Sequence, residues 1–157
     1  MRINLPTPRR SFLVLSAGAA LLSSLRASEV EAEQRDPIAQ PPHPGPAAFM
    51  QRAFALRDAA LRAGDQPYGA VVVRDGRIVG EAPSRVVTAG DPTAHAEMEA
   101  IRDAARRLGT RDLSGADIYA STHPCPMCEA AAYWAGVARV FHGRDAADAG
   151  APRLSRC

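Results

Sequence analysis

From Ala47 the chain reads AAFMQRAFALRDAALRAG, in which Phe49, Ala53, Leu56, Ala60 and Leu61 recur at helical steps and Gly64 closes the run. The next segment, YGAVVVRDGRIVGE, changes period. A β-branched run, the pair Asp75-Gly76 and a second apolar run predict a hairpin. A loop from Ala82 to Pro92 leads to a helix beginning near Thr93, with Met98, Ile101, Ala105 and Leu108 as its apolar stripe and Gly109 as its stop. ADIYAST predicts a third strand, residues from about Pro126 to Ala135 a third helix, and ARVFHG a fourth strand. The order α-β-β-α-β-α-β predicts an α/β fold: a three-layer α-β-α sandwich around a mixed sheet of about four strands.

The segment before this pattern obeys a different logic. Residues 8–22 read PRRSFLVLSAGAALL, two arginines followed by an uncharged stretch from Ser11 to Leu25. That stretch is too short and too mild for a bilayer span, which takes about 20 apolar residues. It resembles a signal peptide of the twin-arginine type, with cleavage expected after Ala27 or Ala32. An uncleaved membrane anchor is the alternative. The expected organisation is therefore a signal over residues 1–32, a Pro-rich flexible linker over 33–46, and a domain over 47–157 that works outside the cytoplasm, in the periplasm.

Charge changes meaning once that division is made. The chain has 19 basic residues, all Arg, and 17 acids; residues 1–32 hold four of the former and two of the latter, leaving 15 of each. A neutral domain has no electrostatic reason to seek nucleic acid.

The chemistry concentrates at His123–Ala132, HPCPMCEAAA. Cys125 and Cys128, three apart at a helix start, share a face and can form either a redox pair or half of a metal site. A third ligand discriminates. The segment DPTAHAEMEAIRDAAR puts His95 in the first turn of another helix, capped by Asp91 or Thr93. Two helix starts after neighbouring strands can converge, giving one imidazole and two thiolates with a fourth tetrahedral position open, the arrangement of a catalytic zinc. Glu97, two residues from His95 and off its face, suits proton transfer better than ligation. H-x-E…P-C-x-x-C, with 26 residues between Glu97 and Pro124, is the signature of zinc-dependent base deaminases. A thioredoxin-type pair follows the first strand of its fold, whereas 29 residues follow Cys128.

DPTAHAEMEAIRDA and PCPMCEAAAYWAG resemble the cytidine and deoxycytidylate deaminase superfamily, on its guanine deaminase and tRNA adenosine deaminase branch, over about Ala47–Gly143. The resemblance implies a cytidine deaminase-like fold and Zn2+ held by His95, Cys125 and Cys128. It implies that Glu97 takes a proton from the activated water and returns it to the departing ammonia. It implies that Trp134 stacks on the substrate base and that Tyr68 borders it; Trp134 in the core and Tyr68 packed in the sheet are the alternatives. Ala96 is a further candidate substrate contact.

Three places depart from the family pattern. Where an Asn follows the second strand this chain has Ser84, whose hydroxyl lacks the paired amide donor and acceptor. His123 replaces a Glu before the Pro-Cys and is read as packing behind the ligands, with a spare-ligand role as the alternative. The tail GRDAADAGAPRLSRC predicts a pocket more open than a guanine deaminase's, with Cys157 a leftover thiol and His142 structural. The expected activity is hydrolytic deamination of a free nucleobase or nucleoside, favouring a purine such as guanine or adenine. The expected partners are that small molecule and a second copy of the chain in a homodimer. Nucleic acid is not expected, nor membrane after signal cleavage. The rival readings are a catalytically weak zinc-binding relative and a thiol-disulfide oxidoreductase using Cys125 and Cys128.

Overall fold

Strand β1 (Gly69–Arg74) is buried on both faces, which is why its sequence runs AVVV instead of alternating with polar residues. Val71 and Val73 face a cluster with Phe49, Met50, Ala53, Leu56, Ile78 and Tyr119. Ala70 and Val72 face the opposite cluster with Ala96, Ala100, Ala104, Ile118, Ala132 and Val140. These two clusters are the interfaces of three layers. Helix α1 (Pro46–Arg62) covers one side of the sheet; α2 (Ala96–Leu108) and α3 (Pro126–Trp134) cover the other. The computed structural model describes residues 36–154; the expected signal over residues 1–32, residues 33–35 and Cys157 lie outside them.

The sheet has five strands in the order β2-β1-β3-β4-β5, with β2 at Arg77–Pro83, β3 at Asp117–Ala120, β4 at Arg139–His142 and β5 at Ala147–Gly150. Only β3 and β4 are parallel; the other three pairings are antiparallel. The mixed α/β sandwich read from the sequence is the observed fold, with one strand more than the four expected. That strand, ADAG, carries no β-branched or aromatic residue and could not be seen by propensity. It is held by its ladder to β4 and by an ion pair between Arg139 and Asp148.

Two helix faces differ from the sequence expectation for physical reasons. In α1 the stripe runs through Phe49, Ala53, Leu56 and Ala60, joined by Met50, while Leu61 lies one residue off it and is exposed. In α2 the buried face is Ala96, Glu97, Ala100 and Ala104, and Met98, Ile101, Ala105 and Leu108 are only partly buried. Small residues point at the sheet because the backbones approach closely. A Cβ on Gly80 would lie 2.5 Å from the Ala104 nitrogen and 2.6 Å from the Ala100 oxygen. On the other face, a Cβ on Gly69 would lie 2.2 Å from the Ala53 oxygen.

The hairpin turn at Asp75 and Gly76 takes left-handed φ values of 52° and 71°, matching the twist of its strands. Gly109 ends α2 in the left-handed region, as its position in the sequence predicts. The Pro-rich stretch is not simply a spacer. Gln40 accepts from the Ile78 N–H and donates to the Ile78 carbonyl, both at 2.9 Å, docking on the edge strand β2. No helix among the described residues is long and apolar enough to cross a membrane.

Candidate active site

Because β1 is antiparallel to both its neighbours, its first residues lie beside the ends of β2 and β3. Gly69 pairs with Pro83, and Ala70 with Ala120. The chain leaving β2 reaches α2 through a loop, and the chain leaving β3 reaches α3 in five residues. Both helices therefore start at one edge of the sheet. His95 is the N-cap of α2 and Cys125 the N-cap of α3, both with extended backbone, and neither side chain caps its own helix. The expected cap at Asp91 or Thr93 is used one turn earlier, where Asp91 accepts from the Thr93 N–H and hydroxyl. The capping positions are thus free to present an imidazole and a thiol. Cys128, one turn into α3, is buried.

The Nδ1 of His95 and the sulfurs of Cys125 and Cys128 form a triangle whose three edges are each 3.6 Å. Tetrahedral zinc, with Zn–S near 2.3 Å and Zn–N near 2.0–2.1 Å, needs edges of about 3.8 Å between sulfurs and about 3.6 Å from sulfur to nitrogen. The donor set and its spacing fit zinc, and among the described residues it is the cluster that could hold a metal. Burial pushes the Cys128 thiol far above its ordinary range, and the neighbouring Glu97 and Cys125 push it the same way. A helix N-terminus alone therefore does not ionise this sulfur. A bound cation is what would. The two sulfurs are free, not bonded to each other.

Glu97 is buried, with Oε2 3.7 Å from the Cys128 sulfur. Burial raises its carboxyl above the ordinary carboxylate range, against smaller opposing effects of its own N–H, His95 and the Cys128 hydrogen bond. It stands beside the triangle, as the H-x-E spacing implied. A cavity of about 360 Å³ opens over it, lined by Gln66, Tyr68, His95, Glu97, Thr122, His123 and Cys125.

The candidate substrate contacts divide. Tyr68 lines the cavity and also packs against the core, so both of its readings hold. Trp134, at the last position of α3, is 75% exposed and meets Tyr133 edge to face; it is neither in the core nor on the cavity wall. Ala96 is fully buried in the core. Ser84 is buried, and its hydroxyl donates to Asp65 at 2.8 Å instead of reaching the cavity. His123 does line the cavity, but stands apart from the triangle. Its Nδ1–H donates to the Pro124 carbonyl at 2.8 Å, and its ring meets His142 edge to face.

Sequence reasoning missed Gln66, Thr122 and Asp65. Asp65 is buried and accepts five hydrogen bonds: from the N–H groups of Gln66, Val87 and Thr88 and the hydroxyls of Ser84 and Thr88. Burial alone would raise its carboxyl. The Thr88 and Gln66 amides and the Ser84 and Thr88 hydroxyls outweigh that and hold it well below the usual carboxylate range. The available signal was an acid beside a helix-ending Gly, followed by Pro, a turn composition without an obvious partner.

Residues 46–144 match the family described as the cytidine and deoxycytidylate deaminase zinc-binding region. The guanine deaminase of Bacillus subtilis is 46% identical over 106 residues, covering 65% of this chain and 68% of that one. The tRNA-specific adenosine deaminase of Aquifex aeolicus is 43% identical over 89 residues, covering 55% and 59%. The crystal structure of the Bacillus subtilis guanine deaminase superposes with a TM-score of 0.59 at 46% identity, over 60% of this chain and 61% of that one. The chain thus spans about three fifths of the length of the adenosine deaminase and of the solved guanine deaminase it matches.

Proposed function

The chain belongs to the cytidine and deoxycytidylate deaminase family, and we propose that it hydrolytically deaminates a free nucleobase or nucleoside, favouring a purine such as guanine or adenine, with release of ammonia. The observation that carries this reading is the 3.6 Å triangle of His95, Cys125 and Cys128 beside the buried Glu97, on the wall of a cavity of about 360 Å³. That volume lies in the range of small-molecule sites.

His95, Cys125 and Cys128 would hold zinc, and when bound it supplies a water that ionises near neutral pH. Glu97 manages the protons. Its carboxylate accepts one proton from the water and delivers it to the ring nitrogen beside the carbon under attack. It then carries the second water-derived proton, from the hydroxyl added at that carbon, to the amino group, so that the C–N bond breaks with ammonia leaving instead of an amide anion. A carboxyl whose affinity for protons is raised by burial is suited to holding a proton between those two transfers. Tyr68 and Thr122 border the base and exclude part of the bulk water. The balance of 15 Arg and 15 acids after residue 32 favours a small substrate over a polyanion.

The test is ammonia release from a panel of bases, nucleosides and an adenosine-containing RNA hairpin by zinc-loaded protein. We expect turnover with at least one free base or nucleoside. Turnover confined to the hairpin would replace the substrate class, and none at all would overturn the reading.

A further inference from the structure

A base oriented for deamination turns its reacting amidine edge toward Glu97 and the triangle, so a different edge must be read by something else on the cavity wall. Four side chains besides Glu97 and the ligands line it: Gln66, Tyr68, Thr122 and His123. Tyr68 and Thr122 each offer one hydroxyl, and His123 commits Nδ1 to the Pro124 carbonyl. Only the Gln66 carboxamide presents a donor and an acceptor side by side, and it makes no hydrogen bond to another described residue. Its backbone, by contrast, is fixed. The Gln66 N–H donates to Asp65 Oδ1 at 2.8 Å, and its carbonyl accepts from the Tyr68 N–H at 2.8 Å. Pro67 stiffens the turn between them. The mount is fixed, and the carboxamide is left available to pair with a ligand. Ser84, where the family pattern has its Asn, cannot compete, because its hydroxyl is held by the same Asp65 oxygen.

We propose that Gln66 is the specificity-determining residue of this site, pairing its carboxamide with the lactam edge of a 2-amino-6-oxopurine. The inference rests on the deamination reading above and names its substrate class. Beside the amino-bearing carbon, guanine carries a ring N–H next to a carbonyl, a donor–acceptor pair complementary to an amide. Adenine carries only acceptors on either side of its amino-bearing carbon, which would leave the Gln66 oxygen unpaired. Sites built to hydrogen-bond a substrate reject the analogue that lacks the group far more strongly than apolar pockets do.

The experiment compares the zinc-loaded full chain with Gln66→Leu and Gln66→Glu. It reads kcat and KM for guanine and adenine, zinc content, melting temperature, and calorimetric binding of guanine in a Glu97→Ala background. We expect the parent to prefer guanine. Gln66→Leu should lower kcat/KM for guanine at least about 100-fold, chiefly through KM, and weaken guanine binding comparably, with zinc content unchanged. Gln66→Glu is isosteric, keeps the turn, and sets a carboxylate oxygen where the donor faced the carbonyl; it should lose at least about tenfold in binding and answers if the Leu variant fails to fold. Guanine kinetics and binding within about twofold of the parent in both variants would overturn the proposal, as would a parent that prefers adenine. If the parent deaminates no base, the deamination reading fails, and the binding arm alone decides Gln66: weaker guanine binding in the variants sustains its role, and no binding by the parent ends it.

Discussion

The Ser84 hydroxyl donates to Asp65 Oδ1 at 2.8 Å, tying the end of β2 to the turn that follows α1. The other Asp65 oxygen gathers the Val87 and Thr88 amides and the Thr88 hydroxyl, so one carboxylate shapes both the loop leading toward His95 and the turn that carries Gln66. All five of its partners donate. An amide in its place would aim N–H groups at N–H groups.

Asp65→Asn should therefore lower the melting temperature at neutral pH, and the difference should depend on pH in a defined direction. The folded-state carboxyl is depressed, so its contribution is complete above the unfolded value of about 3.9 and is lost as pH falls below it toward the folded value. The melting-temperature gap between parent and variant should stay constant down to about pH 5 and narrow below about pH 4. A gap that does not change across that range would contradict the assignment.

Gly80→Ala should destabilise the domain by about 2–3 kcal/mol, in the range of overpacked cores. The added methyl meets α2 backbone at 2.5 and 2.6 Å, which no side-chain rotation relieves. Because α2 carries Glu97 and starts at His95, we expect weaker zinc retention as well. Chemical denaturation of the zinc-loaded variant checks this, and parental stability would refute the close approach of helix and strand.

Much of this arrangement could be read from the residues. Local pattern located the three helices and four of the five strands of the described residues, and H-x-E with P-C-x-x-C pointed to the three side chains that the structure gathers beside Glu97, because their spacing is a local property of helix starts. What stayed hidden is non-local. The α2 face against the sheet is set by Gly80 in the preceding strand, so Ala100 and Ala104 outrank Met98 and Ile101 at the interface. The destination of the Ser84 hydroxyl depends on Asp65, 19 residues away, and Trp134, expected to stack on the base or alternatively to pack in the core, is exposed and off the cavity wall. Gln66 in a loop of polar and small residues has no periodic signal at all.

His95→Ala, Cys125→Ala and Cys128→Ala should each lose most of the one zinc per chain that we expect in the parent, since three ligands are the minimum for a tight site with an open position. In the parent, zinc should protect both cysteines from alkylation. Stoichiometric zinc in all three variants, measured by elemental analysis, would contradict the assignment of the triangle.

The export expected from the sequence leads to a further prediction. The two sulfurs stand 3.6 Å apart, close enough that small movements would form a disulfide in an oxidising compartment. We propose that the protein leaves the cytoplasm folded and metal-loaded, behind the twin-arginine-type segment. Replacing Arg9 and Arg10 with Lys should leave active, zinc-bound precursor in the cytoplasm. Export of the unfolded chain behind a general secretory signal should yield metal-poor protein with Cys125 and Cys128 oxidised. Full zinc and activity after unfolded export would separate the address from the chemistry.

The central claim is that the triangle holds the metal while Glu97 moves the protons, and one paired measurement on Glu97→Ala tests it most directly: zinc per chain and the rate of ammonia release from the best substrate, in the same preparation. Glu97 is no member of the 3.6 Å triangle, so zinc should remain at about one per chain. Turnover should fall at least about 100-fold, the contribution expected of a positioned acid–base group. Parental turnover with zinc retained, or loss of zinc together with turnover, would contradict this division of labour.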